Sequence, residues 1–439
     1  MKTKICFTGD TILMIPMPKD YTGYIPLAKY VAQGDVRVNN MEMVIAEDDC
    51  FASTFCGGTW LKAKPEVLDD IERFSFNCYG FANNHSMDYS YRGLTSILNT
   101  LSSRGMVVCG AGLSLKEASA PASIKTKNGS VAVFAISATC DDAARAGDPI
   151  HTVPARPGLN MLRHTETFLV NESHMQALQE IAENTYINGR INNSKRGGYT
   201  VTKPGVFTFG SLEFKLNDIE RKTSTPNPID MERMKREIFA AREEHDYVVV
   251  CFHSHEIRAE KDEEPDYFIE EFSHACIDWG ASAVIGTGTH QIKGIEIYKG
   301  FPIFYSIANF VFQGEMSPVL PADYYERYGV PKDKSAKDAL AVRSNNGTRG
   351  LETESKNYRG LIPLLEFEDG KLTSVEVKPI ELGFLKDEVN QKGLPFEANE
   401  EVSRQVYETL ISLSKDYGTE MVLEGGVIRI MLDQISESS

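Results

Sequence analysis

No apolar run in these 439 residues approaches the ~18 needed to span a bilayer, so no membrane-crossing helix is expected. Nor is a secretory leader expected. Met1-Lys2-Thr3-Lys4 runs straight into Ile5-Cys6-Phe7, which reads as a core strand. The eight cysteines include no Cys-x-x-Cys pair, which favours reduced core thiols over a disulfide framework. These absences together predict a cytoplasmic protein. Positive charge is in short supply: the net charge of −16 argues against a nucleic-acid backbone as partner. There is no Gly-rich phosphate loop or other nucleotide-binding motif, and no internal repeat.

What is present is ordinary globular composition, 42% apolar and 25% charged, in a chain long enough for a large core. Short apolar runs alternate with helical patterns. Strands are expected at 4–8, 36–39, 76–81, 131–136, 247–252 and 283–286. Helices are expected at 65–74, 91–104, 229–244 and 266–278, where apolar residues recur at helical spacing. Fully apolar strands that follow helices indicate burial on both faces. Residues from about 140 to 228 read as an elaborated insertion with one helix at 172–183. The polar stretch 314–359 reads as a long excursion or mobile lid. Two strand-like runs around Asp369-Gly370 predict a hairpin, and 400–413 predicts a closing helix.

The chemistry collects at the ends of these strands. Asp10 follows Gly9 after the first, and Glu42 follows the second. Phe81-Ala82-Asn83-Asn84-His85-Ser86-Met87-Asp88 follows the third, His253-Ser254-His255-Glu256 a later one, and His290 another. Taken singly, each has a plainer reading: Gly-Asp is a turn, Asn-Asn-His a cap, a lone His a structural group. Their joint placement is what indicates a site, because open α/β sheets bind ligands at strand ends. Mixed oxygen and nitrogen donors of this kind suit Mn, Zn, Fe or Mg.

The set Gly9-Asp10, Asn40-Met41-Glu42, Ala82-Asn83-Asn84-His85-Ser86-Met87-Asp88-Tyr89 and His253-Ser254-His255-Glu256 resembles the CapA family of poly-gamma-glutamate capsule synthesis proteins. The run 286–312, with Gly294-Ile295-Glu296-Ile297-Tyr298 and Phe304-Tyr305-Ser306-Ile307-Ala308-Asn309-Phe310 in it, resembles that family most specifically. Arg156-Pro157-Gly158-Leu159-Asn160 with Leu162-Arg163 is similar to a segment in one branch of it. The resemblance covers most of residues 3 to 312 and the hairpin near 361–380. It implies an α/β (α+β) fold: a four-layer metallophosphoesterase-like sandwich of two mixed β-sheets flanked by helices, with insertions. Residues 1–387 would form this domain, and 388–439 a helical extension packed on it.

The resemblance further implies that Asp10, Glu42, Asn84, His253 or His255, and His290 hold one or two divalent ions. His85, oriented by Asp88, would be the general acid or electrostatic stabiliser, with His255 and His290 near the chemistry. Arg156, Arg163, Asn83 and Lys293 are candidates for substrate binding, with Arg92 and Arg258 available to the same anion patch. Two departures stand out. The opening Gly9-Asp10-Thr11-Ile12 lacks the His of Asp-x-His, and Gly288 stands where the family often carries a His. Three readings therefore stay open. The first is a metal-dependent hydrolase of a small-molecule, peptide or polyglutamate substrate. The second is an acid–base enzyme with no metal at all, such as an epimerase. The third is a non-catalytic polyglutamate-binding protein, against which the net charge of −16 counts.

Overall fold

The computed structural model describes residues 2–386 and 391–432, and the strand–helix rhythm folds into two large mixed sheets. The first runs Met421–Glu424, Val427–Ile430, Lys371–Glu381, Arg359–Glu368, Lys2–Ile12, Val36–Met41, Cys78–Gly80, Val108–Cys109. Asn309–Phe312 pairs in parallel with the end of the opening strand. The second sheet runs Ile295–Tyr298, Phe301–Phe304, Ala283–Gly288, Tyr247–Ser254, Gly129–Ser137, Ala122–Thr126, parallel at its centre and antiparallel at both edges.

Strand alternation assigns the layers. Ile5 and Phe7 enter one apolar cluster with Val131, Val133, Val249 and Ile285, so this core is shared by the two sheets. Cys6, between them, enters a different cluster with Leu94, Ile97 and Leu101 of the helix Ser90–Ser103. On the second sheet Ala132, Phe134, Val248 and Val250 point the other way, onto the helices Pro228–Glu244 and Tyr267–Asp278. Burial on both faces is why these strands read as unbroken apolar runs. Each fully buried Val, Ile or Phe stabilises the fold by roughly 1.5–3 kcal/mol over leaving it exposed.

The expected helices form close to their predicted limits, and their ends carry local signals. Asn227 caps Pro228–Glu244 by accepting the Ile229 and Asp230 N–H groups, with Pro228 in the first turn. Asp266 caps Tyr267–Asp278 in the same way through the Tyr267 N–H. The hairpin turns at Asp369 and Gly370, both at positive φ (49° and 81°), between Glu368 and its partner Lys371.

Three regions hold more structure than their composition indicates. Within the insertion, Phe207–Phe209, Leu212–Leu216, His164–Val170 and Arg221–Pro226 form a separate four-stranded sheet beside the helix Glu172–Thr185. The polar stretch 314–359 folds into the helices Ala322–Tyr328 and Ala336–Arg343. Their Tyr324, Ala339 and Leu340 pack with Val44, Trp60 and Tyr89 in a small core of their own. The C-terminal part is more than a helix. Glu400–Ser414 buries Val406 and Leu410 in the shared core, and the two strands after it extend the first sheet. The boundary expected at 387/388 and residues 433–439 lie outside the described residues. All eight cysteines are free thiols. Among the described residues no helix is long and apolar enough to cross a membrane.

Candidate metal centre

The ends of the two sheets meet at one buried cluster. The register of the opening strand shifts on either side of Asp10, between Thr8 and Asp10 against one neighbour and between Asp10 and Thr11 against the other. This irregularity sets the Asp10 carboxylate fully inside the protein. One of its oxygens accepts from Asn40 Nδ2 at 2.6 Å, the other from the Gly288 N–H at 3.0 Å. Glu42 follows the next strand, is fully buried, and has no hydrogen-bond partner on either carboxylate oxygen.

The second sheet supplies the imidazoles. His253 stands between the two acids, with Nδ1 3.6 Å from Asp10 Oδ1 and Nε2 3.5 Å from Glu42 Oε1. It also meets Thr287 Oγ1 at 3.0 Å and Asn84 Oδ1 at 2.8 Å. The His255 ring centroid lies 5.2 Å from that of His253 and 5.4 Å from that of His290. His255 Nε2 is buried without a partner. His290 has φ 59°, a left-handed conformation that costs a non-glycine residue free energy and concentrates at functional sites. Its Nδ1 lies 2.8 Å from Asn309 Oδ1. Asn309 Nδ2 donates to the Asn357 carbonyl at 2.9 Å, which fixes the amide's orientation. The proton of His290 therefore sits on Nδ1, and Nε2 keeps its lone pair.

His85 adjoins the cluster. Its Nδ1 lies 2.7 Å from Asp88 Oδ2, and Asp88 is held in turn by the Gly57 and Leu61 N–H groups at 3.1 and 2.8 Å. A methyl group at Gly57 would stand 2.4 Å from Asn84 Nδ2 and 2.7 Å from His85 Nε2, so only glycine lets that loop close over the pair.

Burial dominates the electrostatics. It holds the Glu42 carboxyl well above the usual range, reinforced by Asp10 and Asp88. Burial works to raise Asp10 as well, but His253, His290 and Asn40 outweigh it and bring that carboxyl below its usual value. His255 is driven well below an ordinary histidine, first by burial and then by His253, His290, His85 and Lys293. Burial also lowers His290, against Asp10 and Asn309. Neutral imidazoles beside carboxylates are the state in which these groups coordinate a cation.

Two donor sets emerge: Glu42, His253 and His255, and Asp10, Glu42 and His290. Each offers ligand atoms within 4.8 Å of one another, and Glu42 belongs to both. The orphaned oxygens of Glu42 and the orphaned Nε2 of His255 fit a divalent ion, since a buried carboxylate without a partner is costly and a cation would satisfy it.

The structure thus gathers Asp10, Glu42, His253, His255 and His290, and both histidines of the His-Ser-His segment face the cluster. Other expected residues are engaged differently. Asn84 is bonded to His253 and, through Nδ2, to the Gly57 carbonyl at 3.2 Å. Asn83, a candidate for substrate binding, has its side chain taken by the Met41 carbonyl, the His85 N–H and Ser86 Oγ. Arg163 forms an ion pair with the buried Asp230 at 2.8 Å. Arg156 is exposed and donates to the Arg145 carbonyl. No hydrogen bond or ion pair among the described residues links either arginine to the cluster. Lys293 is buried and electrostatically close to His255.

Sequence reasoning passed over Asn40, Gly57, Thr287 and Asn309, which hold Asp10, Asp88, His253 and His290. For Asn40, Thr287 and Asn309 the available signal was an amide or hydroxyl near a strand end, while Gly57 offered no such signal. The departure at Gly288 also has a physical reason. Its φ is +121°, and a Cβ there would lie 2.5 Å from the Ser254 carbonyl oxygen. The position contributes its backbone N–H to Asp10 in place of a side chain.

Fold and site together define a mixed α/β protein whose two main sheets converge on a carboxylate–imidazole cluster able to hold a metal. The chain belongs to the family described as bacterial capsule synthesis protein PGA_cap, which matches residues 4–314. It is similar to two uncharacterized proteins of Sinorhizobium fredii, y4sH and y4uA. Each is 28% identical over 435 residues, covering 96% of this chain and 92% of the relative. The PGA biosynthesis protein CapA of Bacillus subtilis is 23% identical over 254 residues, 57% of this chain and 47% of that protein.

Proposed function

We propose that this protein is a divalent-metal-dependent hydrolase on a metallophosphoesterase-like sandwich, acting on a small-molecule, peptide or polyglutamate substrate related to capsule polymer metabolism. The observation that carries this reading is the pair of partnerless oxygens on Glu42, common to both donor sets. Glu42, His253 and His255 would hold one ion, and Asp10, Glu42 and His290 a second. A divalent ion bound there supplies Lewis acidity and a lowered pKa for water. The chain's own groups do the rest. Asp88 accepts the Nδ1 proton of His85 and so leaves Nε2 as the atom that gives or takes a proton at the substrate. Asn309 accepts the Nδ1 proton of His290 and so leaves its Nε2 as the lone pair that would face an ion. The buried surroundings exclude bulk water and strengthen these interactions.

The test is metal content and its consequence. Protein purified without chelator is expected to carry near-stoichiometric Mn, Fe or Zn by plasma mass spectrometry. Hydrolysis of a chromogenic phosphate ester should be lost on chelation and restored by Mn or Zn. Protein that holds no metal and takes none up on titration sinks the proposal. One observation favours a second reading, an acid–base enzyme without metal: Gly288 gives Asp10 a backbone N–H where a further ligand would otherwise stand. Solvent deuterium appearing at a substrate α-carbon, unaffected by chelator, selects it.

A further inference from the structure

Three of the four histidines at the centre have their rings held by a side chain: His253 by Thr287 and Asn84, His290 by Asn309, His85 by Asp88. His255 differs. Among the described residues neither of its ring nitrogens makes a hydrogen bond, and Nε2 is buried without a partner. The direction of this ring is therefore set by its backbone and by packing against the His253 and His290 rings.

That backbone has left the sheet. The strand Tyr247–Ser254 ends one residue earlier, and its last paired residue is Ser254, opposite Gly288. A neighbouring loop takes the place of the ladder. The His255 N–H donates to Thr139 Oγ1 at 2.7 Å, and the Thr139 hydroxyl donates to Glu256 Oε2, also at 2.7 Å. A threonine hydroxyl has one proton to give. With that proton committed to Glu256, a lone pair is left facing the His255 N–H. The Ser254 hydroxyl donates to the same Glu256 oxygen at 2.7 Å, so one carboxylate gathers the groups on both sides of His255. Hydrogen bonds to a carboxylate are roughly twice as strong as those between neutral groups. Two further contacts restrain the turn. The Ala138 N–H donates to the His253 carbonyl at 3.0 Å, and the Ser254 carbonyl oxygen lies 2.5 Å from where a Cβ on Gly288 would stand.

We infer that Glu256, acting through Thr139, is the positioning residue for His255 and so for the donor set Glu42, His253 and His255. The inference rests on the proposed metal reading for its consequence, whereas the chain of bonds does not depend on it. It gives a use to the last residue of His253-Ser254-His255-Glu256, which neither donor set contains. The other set, Asp10, Glu42 and His290, lies outside this chain of bonds, because Asn309 holds His290. Loss of Glu256 should therefore act on one set and spare the other.

The experiment is calorimetric titration of Mn into the metal-free full chain. His255→Ala identifies the equivalent of Mn that His255 helps to hold. Glu256→Ala and Thr139→Val should weaken that equivalent about 10–100-fold and leave any other unchanged. Glu256→Gln keeps an acceptor for the two hydroxyls and Thr139→Ser keeps one for the His255 N–H, so both should recover most of the affinity. Equal affinity in Glu256→Ala, an equal loss at every equivalent, a loss that Glu256→Gln does not recover, or Mn binding indifferent to His255→Ala overturns the inference. Failure of wild type to bind Mn removes the metal reading alone, and a second measurement then decides. Ring ¹H–¹⁵N correlation spectra of histidine-labelled, metal-free protein should show His255 shifted or broadened in Glu256→Ala and Thr139→Val, with His85 and His290 unchanged. Unchanged His255 signals in both variants overturn the inference whatever the metal content.

Discussion

Replacing Glu42 by Gln should make the metal-free protein more stable and the metal-loaded protein less stable. Glu42→Gln keeps the size of the side chain and removes its ability to ionise. Without metal, the folded state holds the Glu42 proton more tightly than the unfolded chain does, because burial, Asp10 and Asp88 all raise its pKa. Stability from this group is therefore greatest below the unfolded carboxyl value and is lost as pH rises toward the folded one. Each pH unit spent in that interval costs about 1.4 kcal/mol. Gln has no proton to lose and escapes this cost. With metal the sign inverts. An ion at 100 times its Kd stabilises wild type by about 2.7 kcal/mol, and the Glu42→Gln change removes the one charged donor common to both sets. Urea denaturation at pH 5.5 and 8, in chelator and in Mn, measures all four conditions. A variant less stable than wild type in chelator at pH 8, or one that gains as much from Mn as wild type does, refutes the reasoning.

On the proposed reading, in which His85 moves a proton, His85→Ala should lower kcat by about 10²–10⁴-fold with metal content unchanged, since it belongs to neither donor set. Asp88→Asn should act in the same direction by loosening the tautomer, and unchanged turnover in both variants removes this pair from the mechanism. Gly288→Ala should destabilise by at least about 1–3 kcal/mol, because it forces alanine to φ +121° against the Ser254 carbonyl. An unaltered denaturation midpoint would show that the backbone there yields.

Much of this arrangement was legible because period and position carry it. The helices near 229–244 and 266–278 announced themselves by spacing, and Asp369-Gly370 by turn chemistry. Asp10, Glu42, His253, His255 and His290 were legible as polar residues that end apolar strands. What sequence could not show was what each side chain touches. Asn83 and Asn84 sit side by side in one motif, yet Asn83 braces the loop while Asn84 reaches His253, a residue 169 positions away. Arg163 read as a free cation because Asp230, which binds it, lies on a distant helix. The stretch 314–359 looked unstructured because its helices bury few side chains of their own and rely on Trp60 and Val44 for a core.

The cluster draws Asp10, Glu42 and Asn84 from one sheet and His253 and Gly288 from the other, across sequence separations as large as 278 residues. A chain emerging from the ribosome cannot assemble any donor set until residues beyond 250 are made and docked. Partly folded forms made only of residues before about 250 would hold no complete donor set. Binding is then a late event that closes very long loops, with an entropic cost that grows only slowly with their length. An ion at this position would act as a cross-link at one end of the shared core. It should slow the separation of the two sheets, so that loss of metal shows first as faster unfolding and readier proteolysis.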